Sequence, residues 1–132
     1  TGILFSFLTK NWSISIDPLI NTNKVDKFRE EIKLKHFTYD KSLFQKTVYI
    51  DYLNQNFDYY NIVLVHSHVN VREVVEKFPK WKYIYVNPCC CKNKQTFTIA
   101  DLKERNIQVL NYGVDENILS EKNEVIIYKN GN

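Results

Sequence analysis

The run "YNIVLV" at residues 60–65 constrains the fold more than any other stretch: it is apolar almost without interruption and stops abruptly at "HSH". A strand with one wet face alternates apolar and polar residues. A continuous, β-branched run of this length is what a strand covered on both faces requires, and such strands sit in the middle of parallel sheets. The flanking sequence keeps a matching rhythm. "WSISIDPL" (12–19) reads as a strand that Asp17-Pro18 ends. "NKVDKFREEIKLKH" (23–36) places Val25, Phe28 and Ile32 on one side at helical spacing. "KTVYIDYL" (46–53) is a β-branched and aromatic strand. "NVREVVEKF" (70–78) is helical and ends at Pro79; "KYIYVNP" (82–88) is the next strand.

"TIADLKERN" (98–106) is a helix with Thr98 as N-cap, and "IQVLNYG" (107–113) and "NEVIIYKNG" (123–131) are strands. The last two are joined by a short connection without a clear helix, which predicts an antiparallel hairpin. Residues 3–9 fit either a helix or a strand that turns at Lys10-Asn11. The alternation predicts an α/β fold with a mostly parallel sheet, helices on both faces and a C-terminal antiparallel hairpin.

With 132 residues and a hydrophobic fraction of 44%, the chain has the length of a single domain with a packed core. No apolar run approaches the ~20 residues that span a bilayer, so no membrane association is expected. Net charge is +3, and lysine outnumbers arginine 15 to 3. This lysine bias has the look of an AT-rich genome and counts little toward nucleic acid. The three cysteines are consecutive, Cys89 to Cys91, a poor disulfide framework. A reducing compartment, intracellular and cytoplasmic, is expected.

In parallel sheets ligands sit beyond the carboxyl ends of the strands. Here those ends carry Asp17, Asp51, His66-Ser67-His68 and Asn87 to Cys91. If the strand persisted, His66 and His68 would face one side, with Ser67 opposite. A metal there would need a further ligand from the cysteines. No CxxC or HExxH spacing supports one, so no metal is expected and the thiols read as small packing groups.

The layout resembles the later part of a class I S-adenosylmethionine-dependent methyltransferase, a Rossmann-like fold. "TGILFSFLTK" resembles the tail of that family's glycine-rich loop, with Gly2 as its remnant. "SISID" resembles the second strand, whose terminal acid, here Asp17, binds the ribose. "KTVYID" resembles the third, placing Asp51 near the adenine, and "NIVLVHSH" the fourth, placing His66 beside the donor. One subgroup ends its fourth strand in a His-Ala-Cys type motif and its fifth in Pro-Cys-Cys. His66 and Pro88-Cys89-Cys90 stand at comparable spacing, although "HSH" departs from the pattern.

The resemblance implies S-adenosylmethionine as cofactor, with His68, Asn87 and Cys89 on the acceptor side. The acceptor would be RNA, protein or a small molecule, with RNA weakly favoured by the lysines and aromatics around "WKYIY". It also implies a central first strand that this sequence does not show. The gap is expected to be filled by an upstream segment, a partner chain or residues 3–9. The alternative is a non-catalytic methyltransferase-like binding or scaffold domain.

Overall fold

A computed structural model of the chain describes residues 54–132, together with Leu8, residues 13–16 and 36–39, and Asp51. The chain divides into two compact units, Thr1–Tyr52 and Leu53–Asn132. In the first unit, β1 (Ser13–Ile16) and β2 (His36–Tyr39) pair in parallel, with Ser13 opposite His36 and Ile16 opposite Tyr39. β1 falls inside the strand expected at 12–19. β2 opens at His36, which the sequence places at the end of a helix; the rest of that helix lies outside the described residues. Leu8 is helical, and the other residues of 3–9 also lie outside.

The second unit is built from β3 (Tyr60–Val65), α1 (Val71–Lys77), β4 (Trp81–Asn87), α2 (Lys92–Gln95), α3 (Ile99–Glu104), β5 (Ile107–Val114) and β6 (Glu124–Asn130). Each helix has a local cause. Asn70 caps α1 by accepting the Arg72 N–H at 3.0 Å, and Val71, Val74 and Val75 recur at helical spacing and are buried. Thr98 and Asp101 form a capping box at the start of α3: the Asp101 N–H donates to Thr98 Oγ1, and the Thr98 N–H donates back to the Asp101 carboxylate.

The four strands are ordered β3-β4-β6-β5. β3 and β4 run parallel, with Ile62 to Val65 opposite Ile84 to Asn87. β6 runs antiparallel to both β4 and β5. The expected Rossmann-like, mostly parallel sheet with helices on both faces is therefore corrected: the sheet is small, mixed and mostly antiparallel. The physical reason is the place of β6. It follows β5 after only residues 115–123, too short for the crossover a parallel neighbour needs, and it inserts between β4 and β5. Each of its two pairings is then antiparallel. The helices α1, α2 and α3 are also short, with seven, four and six residues.

The core lies on one face of this sheet. Leu64, Ile84, Val86, Ile126 and Tyr128 pack there with Val71 and Val75 of α1, with Phe97, and with Leu102 of α3. Trp81 and Phe97 stack at 6.5 Å, and Phe97 meets Tyr128 edge-on at 5.0 Å. The expectation that "YNIVLV" is covered on both faces is corrected as well. Leu64 is buried at 7% exposure, whereas Val63 and Val65, pointing the other way, are 51% and 48% exposed. Among the described residues β3 pairs with β4 alone. No helix among the described residues is long and apolar enough to cross a membrane.

Candidate functional site

The parallel pairing of β3 and β4 brings two polar chain ends side by side. The pairing runs to Val65 opposite Asn87, and the His66 N–H then donates to the Asn87 carbonyl at 2.9 Å. At His66 the backbone enters the left-handed region, with φ 46°. This turn ends β3, so the two histidines do not share a strand face. His66 Nε2 lies 3.5 Å from the carbonyl of Lys122, in the β5–β6 connection, whereas His68 Nε2 lies 3.8 Å from Cys90 Sγ.

The chain leaving β4 turns just as sharply. Pro88 is buried, the Cys89 N–H donates to the buried Gln95 Oε1 at 2.8 Å, and the Cys91 carbonyl accepts the Lys94 N–H as α2 begins. In an extended strand consecutive side chains alternate between faces. In this turn they converge. Cys89 Sγ is 3.5 Å from Cys91 Sγ and 4.0 Å from Cys90 Sγ, and Cys91 Sγ is 3.9 Å from the Ser67 carbonyl. Single ligand atoms of His68, Cys89, Cys90 and Cys91 all lie within 4.8 Å of one another. The sequence reading named His68 and Cys89 as site residues and treated Cys90 and Cys91 only as part of the cysteine run. Their signal was the proline before the run, which forces a turn.

The thiols are not equivalent. Burial pushes the Cys89 thiol up, but hydrogen bonds from the backbone of Cys91 and from the neighbouring thiols outweigh it, and the net shift is down. Burial pushes Cys91 up, and the Cys89 thiol adds to the rise. The two shifts run in opposite directions.

Asn87 has a different task from the one expected. It is 2% exposed, and its side-chain amide donates to the Lys122 carbonyl at 2.9 Å and to the Glu124 carbonyl at 2.8 Å. Both amide protons are spent on the backbone that leads into β6, so Asn87 braces the site and does not offer those donors to a substrate. Beside it, Lys92 donates to Glu124 at 2.6 Å. That hydrogen bond, with one from Tyr112, holds the Glu124 carboxyl below its usual value.

The donor-side residues are placed unevenly. Gly2 and Asp17 lie outside the described residues. Asp51 is helical and exposed, which corrects its placement at the end of a strand. The aromatics of "WKYIY" also divide: Trp81 is buried in the core, so it offers no stacking face, whereas Tyr83 is exposed. Lys82 Nζ sits 5.1 Å from the Tyr59 ring and 5.8 Å from the Tyr83 ring. Lys80 is spent locally, donating to the carbonyls of Asn54 and Phe57.

Comparison with family models, curated proteins and solved structures finds no match to this chain.

Proposed function

We propose that this chain supports S-adenosylmethionine-dependent methyl transfer, with RNA as the first acceptor class to test. The observation that carries the reading is the adjacency of the two parallel strand ends, where His66 to His68 stand beside Asn87 to Cys91. In open α/β sheets ligands collect beyond the carboxyl ends of parallel strands. The cofactor supplies an electrophilic methyl group on a sulfonium. The chain's part is to align an acceptor lone pair and exclude water.

In this reading His66, exposed at the strand end, takes the donor side. His68 and Cys89 line the acceptor side. Asn87 is removed from that list and braces the edge from behind. The two exposed rings flanking Lys82 offer a single-stranded RNA both a cation and stacking surfaces.

The test is calorimetric titration of the full-length protein with S-adenosylhomocysteine. Saturable binding is expected. No binding under conditions where the protein is folded removes the methyl-transfer reading and leaves a non-catalytic binding or scaffold domain.

A further inference from the structure

We propose that His68, Cys89, Cys90 and Cys91 form a tetrahedral zinc site that clamps the chain leaving β3 to the chain leaving β4. The donor set is three sulfurs and one imidazole nitrogen, a combination that structural zinc sites use and that closes the coordination sphere without a water. The geometry agrees with the chemistry. Zn–S bonds of about 2.3 Å and a Zn–N bond of about 2.0 Å give tetrahedron edges of about 3.5–3.8 Å. Three of the six edges are 3.5 Å (Cys89 to Cys91), 3.8 Å (Cys90 to His68) and 4.0 Å (Cys89 to Cys90). The remaining three do not exceed 4.8 Å. His68 and Cys90 are exposed, so their side chains have room to turn toward one ion.

Other uses of the thiols fit less well. A Cys89–Cys91 disulfide would leave Cys90 and His68 without a function, and its sulfurs would have to close from 3.5 Å to about 2.05 Å. An iron–sulfur cluster commonly takes four cysteines, and the chain has three. Copper(I) takes soft thiolates but has no need of the imidazole, whereas zinc accepts both.

The surroundings suit a clamp. The turn is pinned from behind by Gln95, whose carbonyl oxygen accepts the Cys89 N–H. Gln95 is fully buried, and its Nε2 has no partner among the described residues. That amide is the candidate N–H donor to a Cys89 thiolate, the kind of outer contact that orients metal ligands. His68 comes from a loop with no backbone ladder of its own past His66, so a shared ion would fix the loop to the cysteine turn. The inference is independent of the methyl-transfer reading. His68 and Cys89 are then metal ligands and leave the acceptor side.

The experiment uses the full-length protein, purified under reducing conditions and dialysed with stoichiometric zinc. Elemental analysis should find one zinc per chain. Cobalt(II) in its place should give the intense visible bands of tetrahedral coordination with a thiolate charge-transfer band. His68→Ala and Cys90→Ser change exposed side chains, so both should remain folded. Each should weaken zinc by more than the ~10–100-fold that loss of an outer partner costs, while His66→Ala should retain it. Zinc well below one per chain in the wild type, octahedral cobalt spectra, or unchanged affinity in both His68→Ala and Cys90→Ser would overturn the proposal. Metal content and S-adenosylhomocysteine binding are separate readouts, so either proposal can fail alone.

Discussion

Asn87, the last residue of β4, donates from its side chain to the backbone carbonyl of Glu124, the first residue of β6, over 2.8 Å. The same amide holds the Lys122 carbonyl, so one buried side chain fixes where the antiparallel strand enters the sheet. Asn87→Ala removes both hydrogen bonds and should cost about 1–3 kcal/mol in urea unfolding. A variant of unchanged stability would return Asn87 to the role of a ligand contact.

A second brace links helices. Arg72 of α1 meets Asp101 of α3 through two hydrogen bonds, one of them Nε to Oδ1 at 3.0 Å. Arg72 and then Thr98 hold the Asp101 carboxyl well below the usual carboxylate range. The folded chain thus binds this proton more weakly than the unfolded chain, whose Asp titrates near ~3.9. The stabilisation is complete above that value and is lost as pH falls through it toward the lower folded value. Urea midpoints measured from pH 6 down to pH 3 should drop in the wild type. The drop should be clearly shallower in Asp101→Asn, whose stability at pH 6 should already be lower by about 1–3 kcal/mol. Equal pH slopes in the two proteins would remove Asp101 as the cause.

If the methyl-transfer reading holds, the acid of "SISID" carries the ribose. Asp17→Ala should then weaken S-adenosylhomocysteine by about 1.5–3 kcal/mol, the scale of hydrogen bonds to a charged group. Asp51→Ala, at an exposed helical position, should change nothing. The reverse result would exchange the roles of the two acids.

The RNA reading rests on Lys82 and its two rings. Lys82→Ala should weaken binding of unstructured RNA about equally for every sequence and reduce the salt slope by about 1. Tyr59→Ala should lose about 1–3 kcal/mol if a base stacks there. Fluorescence anisotropy across a salt series reads both, and an unchanged slope would clear this surface of RNA.

Much of the local structure was written in the order of residues. "NIVLV", "KYIYVN", "IQVLNYG" and "EVIIYKN" are strands, "VREVVEK" is a helix, and Thr98 caps the next one, because periodicity, β-branching and capping act over a few neighbours. Partner choice acts over long range, and only the tertiary structure decided it. Nothing within "EVIIYKN" states that it inserts between β4 and β5, yet that insertion makes the sheet mostly antiparallel. Continuous apolarity in "YNIVLV" could not say how far its second face is covered, because cover depends on distant chain. Ligand-spacing rules assume particular turns and give no reading for three cysteines in a row. The turn after Pro88 and the left-handed step at His66 instead bring three consecutive sulfurs to an imidazole more than twenty residues away in sequence. The residue types were legible from the start; their convergence was a property of two strands ending side by side.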